Sequence, residues 1–307
     1  MDPLSEALSL LRTESSFFAG LKAGSEWAIE FPAPEGIKFN AVVEGGCWLT
    51  VEGVEKPIRL EAGDCFLLAH KRRFSLRSDL TLPAIHADEI YRRTVNGIAS
   101  FGTADAAFLI GGRFAYGEEA SLLLSGLPPV AIIRNGSGQA SVLSWALQLL
   151  AHELANPSPG NSIVVEHLGH IMLVQILRLY PAQEGNDTPS WLLALSDPQI
   201  GAVIQAVHAD PSKPWTVEGL AKIVSVSRST LALRFKQKSG LAPLEYVGLW
   251  RMQLAAKLLR SGNDTISSIA QELGYDSDSA FSHAFKRTMK CSPREYREQQ
   301  PSMVSAR

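Results

Sequence analysis

The chain has 307 residues, 46% of them hydrophobic and 20% charged, which is a normal globular composition and enough length for two domains. Its formal net charge of −2 hides an asymmetry, because residues 213–307 hold 15 Lys or Arg against 8 Asp or Glu, whereas residues 1–212 hold 14 against 23. No apolar run approaches the roughly 18 residues of a membrane span, and three distant cysteines argue against a disulfide scaffold, so no membrane partner is expected.

The N-terminus has no basic region followed by an apolar stretch, so no secretory signal is expected and the protein is predicted to be cytoplasmic. Residues 5–20 are predicted to form a short helix, because Leu8, Leu11 and Phe18 are its apolar positions.

From residue 24 to about 115, short apolar runs alternate with turn residues such as Gly63 and Asp64. Many short strands at regular spacing predict an antiparallel sandwich or barrel. The runs are Trp27–Phe31, Lys38–Val43, Cys47–Val51, Pro57–Leu60, Asp64–Leu68, Phe74–Leu76 and Phe108–Ile110.

Two consecutive apolar helices are predicted over residues 139–156 and 162–180. Helices this apolar must bury a face, either against the strands or against a second subunit, and both alternatives stay open. A polar stretch follows at residues 184–189, and Pro198–Ala209 is predicted to form another helix before the basic region begins.

An internal repeat with an offset of fifty residues marks the C-terminal third. Phe235-Lys236, Pro243 and Glu245-Tyr246 recur as Phe285-Lys286, Pro293 and Glu295-Tyr296. Each copy sits in a predicted helix-turn-helix, and a basic region built from two such units predicts a polyanionic partner, although uneven surface charge is common.

In the first unit, Thr216 and Ser227 are predicted to cap two helices, the second ending at Gly240. In the second unit, Thr265 and Ser277 take the same places. A helix of this size fits the major groove of B-DNA, and a connecting helix over 249–259 would hold the two readers at a fixed separation. The residues predicted to face the bases are Ser229, Ala232, Leu233, Asp278, Ser279, Ser282 and His283.

Six basic side chains are candidates for phosphate contacts, and each could equally be an ordinary solvated charge. They are Lys222, Arg228, Arg234, Lys236, Lys286 and Arg287.

The second unit, from Gly274 to Arg287 and on through Ser292-Pro293-Arg294-Glu295-Tyr296-Arg297, resembles the signature of the AraC/XylS family of bacterial transcription regulators. The first unit is similar at Leu220-Ala221, Ser227–Leu231, Arg234-Phe235 and Trp250-Arg251-Met252, so the resemblance covers about 95 residues. The preceding region resembles the cupin-type sensor subgroup of that family. Its matching segments are Cys47-Trp48-Leu49, Ala62-Gly63-Asp64, Leu127-Pro128-Pro129, Trp191-Leu192 and Asp197–Gly201.

Three positions depart from the family pattern. The family usually has Arg where this chain has Leu233 and His283, and Arg would read guanine with two hydrogen bonds, so less guanine readout is expected here. Lys290 stands where the family usually has Gly, as at Gly240, which predicts modest backbone strain if the position needs φ > 0.

The first half offers few groups for catalysis. His70 and His86 are its histidines before residue 116, and no His-x-His pair precedes them, so no metal and no cofactor are predicted. Cys47 and Cys65 would oppose each other on neighbouring strands in a redox sensor, or be buried inert thiols. Lys71-Arg72-Arg73 would line an anion pocket or form a charged loop.

The combined reading is an α+β protein, with an N-terminal antiparallel cupin-like β-barrel, a helical dimerisation segment over 142–180 and an all-α tandem helix-turn-helix domain. The expected domains are 1–185 for sensing and dimerisation, 186–212 as linker and leading helix, and 213–300 for DNA binding. The predicted function is a sequence-specific transcription regulator, not an enzyme, that binds double-stranded DNA as a homodimer.

The resemblance leaves open RNA polymerase as a partner and a small molecule as effector. The alternatives are a cupin-type metalloenzyme with an appended DNA-binding region, and a ligand-free regulator controlled by its abundance.

Overall fold

The computed structural model describes residues 2–9, 11–92, 94–102, 105–116, 126–135, 141–182, 188–262 and 264–298. These residues form two compact units. One is drawn from residues 12–115 and 127–186, and the other from residues 1–11, 116–126 and 187–307.

The first unit is a β-sheet unit followed by a helix pair. A six-stranded sheet has the order β11-β6-β3-β10-β1-β9, and a five-stranded sheet has the order β5-β4-β7-β2-β8. The strands are β1 (Leu11–Ala23), β2 (Ala28–Phe31), β3 (Ile37–Glu44), β4 (Gly46–Val51), β5 (Ile58–Glu61), β6 (Cys65–Leu68), β7 (Phe74–Arg77), β8 (Ile85–His86), β9 (Ile98–Phe101), β10 (Ala107–Tyr116) and β11 (Ala131–Ile133). A short helix, α2 (Ala87–Tyr91), follows β8.

The predicted antiparallel β-barrel is corrected in two respects. The described strands form two open sheets, whose edge strands pair on one side only. Two pairs are parallel, β1 with β9 and β2 with β8, because the chain returns to the sheet through a connection rather than a hairpin. The strand-rich fold and the α+β class are confirmed.

Apolar side chains from both sheets meet in one core. Phe66 of β6 lies edge-on to Phe74 of β7, with 6.0 Å between ring centroids, and Phe74 stacks on Phe31 of β2 at 4.6 Å. Aromatic pairs of this geometry add about 0.5–1.5 kcal/mol each beyond the burial of their area. The core therefore holds the two sheets face to face.

The helix predicted over residues 5–20 is wrong for most of its length. Only α1 (Pro3–Leu8) is helical, capped by the Asp2 carboxylate, and the chain continues as β1. In the six-stranded sheet β1 lies between β10 and β9, with Gly20 opposite Ile98, and this tertiary pairing overrides local helical spacing.

The turn at Gly63 and Asp64 is confirmed. Gly63 has φ of 90°, a conformation that glycine adopts without strain. The buried Asp64 carboxylate accepts hydrogen bonds from the Glu61 and Asn135 backbone N–H groups and from the Arg134 guanidinium, at 2.7–3.0 Å. The aspartate thus fixes the turn between β5 and β6 to the segment after β11.

The two predicted apolar helices are present as α3 (Ser141–Ala155) and α4 (Asn161–Leu179), and they pack on each other. By length and composition α4 meets the criterion for a membrane span, with a mean hydropathy of 1.3. One such helix is weak evidence, since the core helix of a soluble protein passes the same test.

The second unit is helical. Besides α1 it contains α5 (Trp191–Ser196), α6 (Pro198–Ala209), α7 (Val217–Ile223), α8 (Arg228–Ser239), α9 (Pro243–Ser261), α10 (Ile266–Glu272), α11 (Asp278–Met289) and α12 (Pro293–Glu298). The helix α9 contacts α8 on one side of the duplication and α10, α11 and α12 on the other. It is longer than the predicted connecting helix, because Pro243 begins it at the N1 position.

Candidate nucleic-acid interface

The two repeats begin their helices with the same caps. The Thr216 hydroxyl accepts a hydrogen bond from the Gly219 N–H at 3.0 Å, and Thr265 accepts one from the Ser268 N–H at 3.1 Å. Ser227 and Ser277 cap α8 and α11 in the same way, at 3.1 and 3.2 Å. All four predicted caps are confirmed, and each satisfies an N–H group that a helix start leaves without a partner.

The turns inside the two units are also equivalent. The Val226 N–H donates to the Ala221 carbonyl at 3.1 Å, and the Tyr275 N–H donates to the Ala270 carbonyl at 2.9 Å. The residues before them, Ser225 and Gly274, have φ of 55° and 74°. In each helix-turn-helix, a residue in the left-handed conformation at the equivalent position thus sets the angle between the two helices.

The buried faces of the two units match ring for ring. Phe235 on α8 lies 5.5 Å from Tyr246, and Phe285 on α11 lies 5.3 Å from Tyr296, both in edge-to-face geometry. Both phenylalanines are fully buried. This fixes which face of α8 and α11 is turned outward.

The helices α8 and α11 end with the same backbone conformation, but only α11 ends at a residue that is strained by it. Gly240 and Lys290 both adopt the left-handed conformation after the last helical residue, with φ of 80° and 64°. The predicted strain at Lys290 is confirmed, because a side chain in this region costs roughly 1–2 kcal/mol.

Replacing Lys290 with glycine is expected to raise the free energy of unfolding by about 0.5–1 kcal/mol, since glycine adopts this φ freely but loses more entropy on folding. Chemical denaturation of the full chain measures the change. Lys290→Ala is the control, because it removes the 3.0 Å bond from Nζ to the Arg287 carbonyl and keeps the strain. An alanine variant as stable as the glycine variant would refute backbone strain as the cause.

The side chains predicted to face bases lie on the outer sides of α8 and α11. Leu233 is 60% exposed. Ala232 and Ser282 are half-buried, and the other five are exposed. The sequence pattern also predicts a buried Ala280 beside Phe281 and Phe285, and this is wrong, because Ala280 in the first turn of α11 is exposed.

All six candidate phosphate contacts are exposed. Two of them already have partners within the unit: Lys222 pairs with Glu218 at 2.9 Å, and the Arg234 guanidinium donates to the Gln199 side chain of α6. Exposed pairs of this kind contribute little to stability, so they leave both cations available to an anion.

A buried polar network that the sequence did not reveal supports the first helix-turn-helix. His208 of α6 stacks on Trp250 with 3.7 Å between ring centroids. Its Nδ1 lies 2.7 Å from the Glu6 carboxylate, and its Nε2 lies 2.7 Å from the Tyr246 hydroxyl, which accepts from Trp191 Nε1 at 3.0 Å.

Burial lowers the pKa of His208 to about 3, so the ring is neutral. The consistent arrangement has Nδ1–H donating to Glu6 and the Tyr246 hydroxyl donating to Nε2. The network ties α1, α5, α6 and α9 together through five side chains, and no local spacing in the sequence signals it.

The two histidines before residue 116, His70 and His86, have structural roles. His70 Nε2 lies 2.9 Å from the Leu127 carbonyl, and His86 caps α2 beside Asp88. Within the described ranges, no group of three or more His, Cys, Asp or Glu residues could hold a metal ion.

The cysteines do not oppose each other on neighbouring strands, and that redox alternative is wrong. Cys47 lies on β4 of the five-stranded sheet, and Cys65 lies on β6 of the six-stranded sheet. Burial raises the pKa of both thiols to about 12, which disfavours the reactive thiolate.

Arg72 and Arg73 belong to a charged loop. The Arg72 guanidinium donates to the Glu52 carbonyl at 2.8 Å, and the Arg73 N–H donates to the Glu52 carboxylate at 3.2 Å. Their carboxylate neighbour makes an anion pocket at this loop a poor interpretation.

Known proteins resemble both parts of the chain. The cupin family model matches residues 2–182, and the helix-turn-helix domain model matches residues 220–299. A putative AraC-like transcription regulator of Streptomyces lividans is 44% identical over 299 residues, covering 97% of this chain and 98% of the relative.

Two further similar proteins cover different shares of this chain. The HTH-type transcriptional regulator AlkR of Acinetobacter baylyi is 30% identical over 308 residues, covering 97% of this chain and 100% of AlkR. The solved DNA-binding domain of AdpA, in complex with a target DNA, is 31% identical, covers 34% of this chain and 92% of that chain, and has a TM-score of 0.32.

Proposed function

Because this chain belongs to the AraC/XylS family of DNA-binding transcription regulators, we propose that residues 213–300 read operator DNA through α8 and α11, each in its own major-groove segment. The observation that carries the proposal is the duplication itself: caps, turns and buried rings are equivalent, and the outer faces of both helices are exposed. Relatives of this similarity are named regulators, so the metalloenzyme alternative is set aside.

The readers divide their contacts between bases and phosphates. Polar and small side chains at the start and middle of each helix suit base edges, while the basic side chains suit the backbone. The proposed base contacts are Ser229, Ala232, Leu233, Asp278, Ser279, Ser282 and His283, and the proposed phosphate contacts are Lys222, Arg228, Arg234, Lys236, Lys286 and Arg287.

The test is binding of the full chain to a duplex selected from a random pool, measured across salt concentrations. Lys286→Gln is expected to weaken binding to every sequence and to reduce the salt slope by about 1. The control Arg294→Gln removes an exposed cation that pairs with Glu298 at 3.0 Å and lies outside the readers. Equal salt slopes for Lys286→Gln and Arg294→Gln would contradict the assignment.

Changing Leu233 to arginine is expected to create a preference for guanine at one operator position, with about 1–3 kcal/mol of discrimination, because arginine can donate two hydrogen bonds to guanine. Selection from randomised duplexes measures it. The control is Leu244→Arg, since Leu244 is 45% exposed on α9 and the change adds the same charge away from the readers. Unchanged base preference in the Leu233 variant would remove this residue from the interface.

We also propose that the chain forms a homodimer through the helix pair α3 and α4 of the sheet unit. On α4, Ile163 is 61% exposed and Ile171 is 38% exposed, eight residues apart on one face. An antiparallel second copy would set each Ile163 against the other copy's Ile171, which is the self-complementary arrangement of a two-fold interface. Two copies would also carry two pairs of readers to one operator.

The dimer is tested by sedimentation of Ile171→Glu, which is expected to sediment as a monomer at concentrations where the unaltered chain is a dimer. Val95→Glu is the control, since Val95 is 73% exposed outside the helix pair. Dimers in both variants would refute the α4 interface. A small-molecule effector, a cytoplasmic location and RNA polymerase as a partner remain proposals from the family resemblance.

A further inference from the structure

Two polar side chains of β3 face the space between the two sheets. Alternate residues of this strand point inward, since Val42 belongs to the core and Lys38 Nζ lies 6.0 Å from the ring centroid of Phe31 on the opposite sheet. Asn40 lies between them in the same series, and only 3% of its surface is exposed.

Among the residues that the structure describes, the Asn40 amide nitrogen has no hydrogen-bond partner and Lys38 forms no ion pair. Asn40 Nδ2 is buried and has no hydrogen-bond partner among the described residues. Within those residues, none of the ion pairs joins Lys38 or Arg113, which are directly opposite each other on β3 and β10. An unpaired buried amide costs about 1–3 kcal/mol, and adjacent like charges add to the cost.

A glycine completes the cluster. Gly111 of β10 lies opposite Asn40, and a Cβ there would come within 2.6 Å of Asn40 Oδ1 and 3.1 Å of Lys38 Nζ. The amide and the ammonium therefore lie over the same backbone position, in room that any other residue would occupy. Burial, followed by the charge of Arg113, lowers the pKa of Lys38 to about 8.

The groups without partners are donors, and the net charge around them is positive. Their surroundings are aromatic, with Phe31 stacked on Phe74 and in ring contact with Tyr91. A carboxylate would accept hydrogen bonds from both donors, and a phosphate would place a second charge beside the same apolar rings. Lys38 is half-buried, so solvent reaches part of its side chain.

We propose that Lys38 and Asn40 bind the carboxylate of a small organic acid whose apolar part contacts the aromatic rings between the sheets. The inference rests on the proposed function only in that this acid would be the effector of the regulator. The Asn40 amide nitrogen and the Lys38 ammonium would then donate to the carboxylate of the acid.

The test uses the full chain with benzoate and hexanoate as probes and with benzamide, hexanamide and inorganic phosphate as matched comparisons. At least one carboxylate is expected to bind ten-fold or more tightly than its amide and than phosphate. Lys38→Met is expected to weaken that binding ten-fold or more, because it removes a charged donor. Lys22→Met is the control, since Lys22 forms an exposed pair with Asp105 at 3.1 Å in the same sheet.

Without any probe, Lys38→Met is expected to raise the Tm by about 2–4 °C, because it removes a half-buried cation that faces Arg113 and keeps most of the length of the side chain. A lower Tm in this variant, no preference for carboxylate over amide, equal or tighter phosphate binding, or unchanged carboxylate binding in Lys38→Met would each overturn the proposal. DNA binding by the unaltered chain distinguishes the two proposals: a chain that binds selected DNA but shows no preference for a carboxylate contradicts only the acid site.

Discussion

Replacing Phe285 with alanine is expected to lower the free energy of unfolding of the helical unit by about 3–5 kcal/mol. The ring is fully buried and contacts Phe281 at 5.9 Å and Tyr296 at 5.3 Å between centroids. Alanine leaves a cavity that neighbouring helices cannot close, since α9, α11 and α12 all border it. A loss of this size is a large part of the free energy of unfolding of an ordinary domain.

Urea denaturation followed by tryptophan fluorescence measures the loss, and DNA binding at low denaturant measures its consequence. Phe235→Ala is the matched variant in the other repeat and should behave alike, because Phe235 is equally buried. Arg294→Ala is the surface control for both measurements, expected within about 0.5 kcal/mol of the unaltered chain, because Arg294 is exposed and lies outside the readers. A loss below about 1 kcal/mol for Phe285→Ala would mean that this ring does not support the second reader.

Replacing His208 with alanine is expected to cost about 2–4 kcal/mol. It removes the ring stacked on Trp250, leaves the Glu6 carboxylate without its donor, and leaves the Tyr246 hydroxyl, which still accepts from Trp191, without an acceptor. The estimate combines the loss of a buried side chain with one or two unmade buried hydrogen bonds. Thermal denaturation of the full chain at pH 7 measures it, and a cost below about 1 kcal/mol would contradict the network.

The same residue predicts how stability depends on pH. The unfolded pKa of a histidine is about 6.5, whereas burial lowers the folded pKa of His208 to about 3. The unfolded chain therefore takes up the proton first, so this contribution is complete above pH 6.5 and is lost as pH falls towards 3. Between pH 6.5 and 5.5 the loss is about 1 kcal/mol.

His208→Gln is the control for that pH dependence, because its amide is neutral throughout and can still donate and accept. Partial burial raises the pKa of Glu6, which acts in the opposite direction nearer pH 4.5, so the window above pH 5.5 reports His208. Denaturation at pH 7.0, 6.5, 6.0 and 5.5 should show the difference between the two proteins. Parallel pH profiles would contradict a neutral buried His208.

The tandem readers could be predicted from the sequence because their determinants are local. Ser227 and Ser277 cap helices through neighbours three residues away, and Phe235 and Phe285 repeat at a fixed offset. Even the strain at Lys290 followed from the position of Gly240 in the other copy. Contacts between residues close in sequence, together with a comparison of the two repeats, were enough to predict these features.

Features set by distant contacts could not be predicted. The strand β1 forms because its backbone pairs with β9, some eighty residues away, and this pairing overrides a local pattern typical of a helix. Cys47 and Cys65 fall in different sheets because sheet order, which spacing does not specify, separates them. The His208 network likewise joins α1 to α9 across most of the chain.

The most direct test of the account is operator selection with Leu233→Arg and His283→Arg made separately, each compared with the unaltered chain. The two residues occupy the same place on α8 and α11, fifty residues apart. If the helices enter successive major-groove segments, each variant gains a guanine preference at one position, and the two positions lie about 10 base pairs apart. Guanine preferences at the same position, or in neither variant, would contradict two side-by-side readers.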